Sequence, residues 1–231
     1  MTTTSDDIKK RHIRSYVLRQ GRVTVAQQRA VDTLQPVFGI PYAATPLDLT
    51  QAFGRTAPKI LEIGFGMGDS TATIAQANPQ NDYLCLEVHT PGVGNLFKVM
   101  GEQEITNIRI IQHDAVEVMR DMLGDGTLDG VHIFFPDPWH KARHNKRRLV
   151  QDETAAEIAR LLKPGGRLRF VTDWKDYADW ALEKFERTPG LVWQAEAADD
   201  WRTAPADHVV TRYEEKKLGD TAPIFLDFIR T

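Results

Sequence analysis

The sequence predicts an α/β protein built on a doubly wound, mostly parallel, Rossmann-like sheet. Three observations carry this. From about residue 58, short runs rich in Ile, Val and Leu alternate with helix-patterned segments, the succession a parallel sheet with crossover helices requires. The first run enters Gly64-Phe65-Gly66-Met67-Gly68, a glycine-rich turn of the kind that joins a first strand to a helix. The chain has 231 residues, 42% hydrophobic and 26% charged, which suits one soluble domain with its own core.

The elements follow in order. Residues 59–63, Lys-Ile-Leu-Glu-Ile, read as a buried first strand. A helix is expected from Asp69 and Ser70, both good N-terminal residues, to just before Pro79. Residues 83–88 and 107–111 read as the second and third strands, with a short helix over 116–123. Residues 130–135 give a fourth strand. A helix over 152–162 should stop at Lys163-Pro164-Gly165-Gly166, before a fifth strand over 167–172. A helix over 177–187 and two strands near 191–195 and 224–229 complete the pattern. Residues 1–50 show little apolar periodicity and carry Pro36, Gly39, Pro41 and Pro46. They are expected to form a basic N-terminal arm and an irregular approach to a domain over 51–231.

Acids mark the expected ligand crevice. Glu62 lies inside the first strand, Glu87 at the end of the second, and Asp114 just past the third. The glycine spacing is Gly-x-Gly-x-Gly, not the Gly-x-Gly-x-x-Gly of dinucleotide binders. A pyrophosphate favours a helix N-terminus without surrounding acids, and Asp69 stands there. Three carboxylates at neighbouring strand ends suit a cationic ligand without phosphate, and S-adenosylmethionine is such a molecule. The fourth strand ends in Phe135-Pro136-Asp137-Pro138-Trp139-His140, where two prolines stiffen the backbone around one acid. Asp173, at the end of the fifth strand, is a second acid on the same edge.

Charge is unevenly spread. Lys plus Arg is 29 and Asp plus Glu is 32, a net of -3. Lys9, Lys10, Arg11, Arg14, Arg19 and Arg22 fall in a stretch without acids. So do Lys141, Arg143, Lys146, Arg147 and Arg148, in company with His140 and His144. Those two segments hold 11 of the 29 cations, and the rest of the chain stands at -14. An acidic body with two basic patches fits a polyanion better than the sum suggests. The single cysteine, Cys85, lies mid-strand and excludes a disulfide framework or a Cys-rich zinc site. No metal spacing links the seven histidines. No apolar run approaches the ~20 residues of a membrane helix, and no signal-peptide core opens the chain, so a cytoplasmic protein is expected.

These residues carry a family resemblance. Leu61 to Gly68, then Glu87-Val88-His89, then Phe135 to Trp139 with Lys141 to Arg148, resemble the bacterial tRNA (guanine-N7)-methyltransferases. So does Arg14-Ser15-Tyr16-Val17-Leu18-Arg19-Gln20-Gly21-Arg22, and the likeness runs in order from about residue 14 to 228. It implies S-adenosylmethionine as methyl donor and tRNA as partner, with 7-methylguanosine formed at the variable-loop guanosine (position 46). It implies that Glu62, Gly64, Gly66, Gly68, Glu87, Asp114 and Asp137 hold the cofactor, Asp137 being also the catalytic residue. Lys141, Asp173, Thr211, Arg212, Tyr213 and Glu214 are implied to contact the substrate. Arg143, His144, Asn145, Lys146, Arg147 and Arg148 are implied to touch the RNA. Ala142 stands where members often have a second lysine, which removes one expected phosphate contact. The arm is expected to serve tRNA binding and to leave cofactor affinity alone. Two rivals are a methyltransferase of another substrate, disfavoured by the basic run, and a non-enzymatic RNA-binding module, disfavoured by the acids. Monomer and homodimer both stay open.

Overall fold

The computed structural model describes residues 14–16 and 21–231. Among these, a seven-stranded sheet has the order β3-β2-β1-β4-β5-β7-β6. The strands are β1 (Lys59–Ile63), β2 (Asp82–Leu86), β3 (Ile108–Ile111), β4 (Leu128–Phe134), β5 (Leu162–Thr172), β6 (Leu191–Trp193) and β7 (Ile224–Arg230). β1 to β5 are parallel, and β7 lies antiparallel between β5 and β6. Strand order reverses between β1 and β4, so this topology places a ligand at their carboxyl ends. The helices are α1 (Val25–Phe38), α2 (Leu49–Phe53), α3 (Asp69–Ala77), α4 (Thr90–Glu102), α5 (Ala115–Met122), α6 (Asp152–Leu161), α7 (Lys175–Glu186), α8 (Asp199–Arg202) and α9 (Arg212–Glu215).

The strands' period of two sorts side chains onto two faces. Leu61, Ile63, Val131, Ile133, Leu168 and Phe170 pack with Met119, Ile158 and Phe185 of α5, α6 and α7. Tyr83, Cys85, Ile108 and Ile110 pack on the other face with Ile74, Leu96, Phe97 and Met100 of α3 and α4. Glu62 belongs to this second face. Its row continues across the sheet as His132, Arg169 and Asp227, each the register partner of the next. Over that polar half, Asp207, His208 and Val209 line a cavity in place of a packed helix.

Two helices correct the expected layout. The irregular approach holds α1, opened by a capping box in which Thr24 Oγ1 accepts from the Gln27 N–H and Gln27 Oε1 from the Thr24 N–H. α1 escapes a periodicity reading because its faces are mostly polar and exposed. It docks on α4, with the Gln27 amide donating to the Pro91 carbonyl at 3.4 Å. α4 fills a stretch to which the sequence reading assigns no element, and it carries Pro91, Gly92, Gly94 and Gly101. Here they serve close approach. A Cβ on Gly92 would lie 2.0 Å from the Gly66 carbonyl oxygen, so only glycine lets α4 press against the glycine loop. The expected stop at 163–166 lies within β5, where the register with β4 jumps from Leu128–Leu162 to Gly130–Arg167.

Candidate active site

The chain leaves β1 through Gly64, Gly66 and Gly68, whose φ angles of 78°, 59° and 77° are left-handed. Two cavities of about 210 Å³ each flank this turn and share Gly64 and Phe135. Together they fall within the roughly 300–1,000 Å³ typical of small-molecule sites. A Cβ on Gly64 or Gly66 would meet no atom within 4 Å, so the turn's backbone faces open space.

Glu62 lies at the back of one cavity, 3% exposed, with the Thr71 hydroxyl donating to Oε1 at 3.0 Å. Burial pushes its carboxyl up to about 7 against the pull of Thr71, and the Glu87 charge adds a smaller push. A cation placed against Glu62 would relieve that cost, so the donor set fits a positively charged ligand. Glu87 follows β2 and lines the other cavity. Its Oε2 accepts from the Gly66 N–H at 2.9 Å, and its Oε1 from the N–H groups of Val88 and His89 at 2.7 and 3.0 Å. Glu87 therefore braces the turn, and Oε2 keeps acceptor capacity for a ligand hydroxyl.

Asp114 caps α5, its Oδ1 accepting from the Val116 N–H at 2.9 Å, and it also bonds the Tyr16 hydroxyl. Burial first, and then the Asp114 charge, raise the Tyr16 phenol above its ordinary value. Ser15 and Tyr16 wall the cavity that holds Glu87 and Asp137. They are fastened by residues distant in sequence, just past β4. Trp139 Nε1 donates to the Ser15 carbonyl at 2.9 Å, and Arg147 donates to the carbonyls of Arg14 and Tyr16. The Arg147 guanidinium lies 4.0 Å over the Trp139 ring. Ser15 and Tyr16 thus belong to the cavity wall, which sets an expectation for the arm different from tRNA binding alone. Deleting residues 1–22 removes a cavity wall and the Asp114 partner, and should weaken binding of S-adenosylmethionine about tenfold in calorimetry. Unchanged affinity would remove Tyr16 from the site. The rest of the arm, residues 1–13 and 17–20, lies outside the described residues.

Asp137 lines the same cavity at the carboxyl end of β4. The turn around it is strained. Phe135 and Trp139, two residues to either side, have φ of 47° and 45°, left-handed values that cost non-glycine residues free energy. Phe135 holds its place by donating its N–H to the Val171 carbonyl at 2.8 Å.

The basic run folds as a 3-10 turn over Ala142–Arg147. Lys141, Arg143 and Lys146 are exposed, while His144 stands edge-on to Trp139 and Asn145 is half-buried. Arg147 is spent on the arm. Arg148 contradicts its expected role as an RNA contact: it is 2% exposed, packed over Tyr177 and Trp180, bonded to the Pro138 carbonyl and paired with Asp176. Arg148→Ala should therefore cost about 2–4 kcal/mol of stability through lost packing and a buried hydrogen bond. Lys146→Ala should leave the unfolding temperature alone and lower the salt slope of RNA binding by about 1. Equal effects of the two variants on that slope would contradict the assignment.

Asp173 follows β5, 3% exposed, with Oδ2 accepting from the Gly219 N–H at 2.9 Å and Oδ1 buried without a hydrogen bond. Burial raises its carboxyl above the ordinary range despite that backbone donor. Thr211, Arg212, Tyr213 and Lys216 line the cavity that contains Glu62. The Tyr213 ring lies 5.9 Å from that of Phe135, and Arg212 Nε approaches Asp69 Oδ2 to 3.2 Å. Glu214 turns elsewhere, to His208. The structure thus brings together Glu62, Glu87, Asp114, Asp137, the three glycines and part of 211–214, and adds Ser15, Tyr16, Phe135 and Lys216, which sequence reasoning did not single out. Among the described residues, no group of three or more His, Cys, Asp or Glu could hold a metal ion, and no helix is long and apolar enough to cross a membrane.

The family described as "Putative methyltransferase" matches residues 56–225. A Chromobacterium violaceum protein named tRNA (guanine-N(7)-)-methyltransferase is 56% identical over 212 residues, 91% of this chain and 92% of the relative. The chain belongs to the tRNA (guanine-N(7)-)-methyltransferase family. A Methylobacillus flagellatus member is 53% identical over 217 residues, 93% of this chain and 90% of its own. Among solved structures, an rRNA methylase from Streptococcus thermophilus gives a TM-score of 0.52 at 14% identity, covering 75% of this chain and 87% of that one. A Streptococcus mutans methyltransferase in complex with SAH gives 0.52 at 10% identity, covering 76% and 90%. These distant neighbours share the methyltransferase fold.

Proposed function

We propose that this methyltransferase transfers a methyl group from S-adenosylmethionine to N7 of a guanine in tRNA, forming 7-methylguanosine. The observation that carries the chemistry is the buried Glu62, a carboxylate held back near pH 7 beside an open glycine turn. Bound S-adenosylmethionine would supply a methyl group on a sulfonium, ready for displacement. Glu62 faces the cavity that would take the cofactor's ammonium end; Glu87 lines the other cavity, fit for ribose, and Asp114 stands behind its wall, between His113 and Ala115 and bonded to Tyr16. Ser15 and Tyr16 wall that side.

Guanine N7 carries an in-plane lone pair and no proton, so no residue needs to act as a base. The site's task is alignment and charge. The methylated base becomes cationic, and Asp137 and Asp173, both on this edge of the sheet, offset that charge as it develops. Exposed Lys141, Arg143 and Lys146, beside the site, bind the RNA backbone. The variable-loop guanosine is the acceptor within this reading, and extracting it from tertiary contacts costs about a few kcal/mol, supplied by phosphate binding. Purified protein should methylate unmodified tRNA and leave free guanosine untouched. Comparable turnover on the two would show that the basic surface plays no part.

A further inference from the structure

A cavity of about 410 Å³ lies between α7, α8, β6 and β7, on the face of the sheet opposite Glu62. Among the described residues, none that lines it lines either cavity of the glycine turn. Its volume falls within the roughly 300–1,000 Å³ of small-molecule sites. Leu182, Ile224 and Leu226 give it an apolar floor, and the half-buried indoles of Trp193 and Trp201 stand in its walls. Small side chains keep it open, Ala178 on α7 and Ala222 ahead of β7.

The cavity adjoins the reaction edge. The Asp173 carbonyl accepts from the N–H groups of Asp220 and Thr221 at 3.0 and 3.1 Å, and the Asp220 carboxylate accepts from the Lys175 N–H at 2.9 Å. Thr221 and Lys175 both line the cavity. An RNA that brings a guanine to Asp137 and Asp173 therefore meets the loop that forms its mouth. The charge there suits a polyanion. Lys175 Nζ pairs with Asp179 Oδ2 at 2.7 Å, which neutralises an acid of the lining. Asp200, beside Trp201 in sequence, is engaged with the N–H groups of Glu196 and Ala197 at 2.8 Å. The exposed Arg202 guanidinium lies 4.4 Å over the Trp201 ring, a placement that leaves its donors to a phosphate.

Resting on the reading of this chain as a tRNA guanine methyltransferase, we infer that this cavity takes a second nucleobase of the tRNA, one unstacked when the acceptor guanine is drawn out. A base taken from its stack leaves a neighbour without a partner, and indole and guanidinium planes are surfaces on which RNA bases stack. Trp201 and Trp193 supply the stacking surface, and Arg202 holds the adjoining phosphate. Every base has a π face, so the site grips an unstacked nucleotide without reading its identity.

Trp201→Ala should weaken tRNA binding and lower kcat/KM about 10- to 30-fold with the salt slope unchanged, because stacking carries no charge. Arg202→Ala should reduce that slope by about 1. Ala222→Trp, at an exposed position, fills the cavity and should weaken tRNA binding as much as Trp201→Ala; it keeps the test decisive if loss of the Trp201 ring unfolds the protein. Arg202→Ala and Ala222→Trp should keep the wild-type unfolding temperature and affinity for S-adenosylmethionine. The deciding comparison uses tRNA transcripts that each lack one base. At one position the wild-type protein should lose about 10- to 30-fold in affinity, and there Trp201→Ala or Ala222→Trp should lose nothing further, the non-additivity of a shared contact. Additive losses at every position would overturn the inference. So would wild-type tRNA affinity in both Trp201→Ala and Ala222→Trp, a result that leaves the cavity to a protein partner. Absence of 7-methylguanosine with the wild-type protein on unmodified tRNA would instead fail the underlying reading, so the two failures are distinguishable.

Discussion

Replacing Glu62 by glutamine is expected to make the free protein more stable at pH 8 and a weaker binder of S-adenosylmethionine. The cause is the carboxyl's displacement from 4.5 to about 7 by burial. An acid whose folded pKa is raised binds protons more tightly in the folded state than in the unfolded chain. Its contribution to stability is intact below pH 4.5, falls as pH rises to about 7, and is fully lost above that. At about 1.4 kcal/mol for each pH unit, the penalty at pH 8 approaches about 3 kcal/mol. Glutamine carries no such penalty and can still accept from Thr71. The cofactor's ammonium meets a carboxylate only when Glu62 is ionised. Wild-type affinity should therefore rise with pH up to about 7 and then level, whereas the variant should bind about 10- to 100-fold more weakly at pH 8 without that dependence. Thermal unfolding and calorimetry from pH 5 to 8 check both halves. A variant less stable than wild type at pH 8 would show that Glu62 is held by partners and not strained by burial.

Asp137→Asn is expected to lower kcat about 100-fold. The neighbouring strain is the reason to look here. Two non-glycine residues in left-handed conformation, with prolines between them, fix one acid at the mouth of the site. Asparagine keeps the shape and removes the charge that would offset the cationic base. Because N7 yields no proton, the wild-type kcat should show no limb from a general base above pH 7. Single-turnover rates over pH 6 to 9 provide the check. Wild-type kcat in the variant, or a bell-shaped profile that the variant abolishes, would contradict a purely electrostatic role.

The strand ends, the glycine turn and the acids beside them were legible because each is local. Glu62 and Gly64 to Gly68 lie in one short run, and the alternation of strand and helix places that run at the switch point. α4 was not legible, because Gly92 answers to the backbone oxygen of Gly66, and Gly94 and Gly101 to side chains of α1, not to a turn. Tyr16 could not be read as a cavity wall either. Its position depends on Arg147, which bonds its carbonyl, and on Trp139, which bonds that of Ser15, 131 and 124 residues away in sequence. A basic run likewise hides its own sorting. Lys146 and Arg148 are two residues apart, yet one is exposed and the other lies buried beneath Trp180 and Tyr177. Composition gave both the same meaning; packing separates them.

The most direct measurement is nucleoside mass spectrometry of tRNA from a strain that lacks this gene, complemented with wild type or with Asp137→Asn. The 7-methylguanosine signal should vanish in the deletion, return with wild type, and stay near zero with the variant. A deletion strain whose tRNA keeps its full 7-methylguanosine, or a variant that restores it as well as wild type, would contradict the central claim.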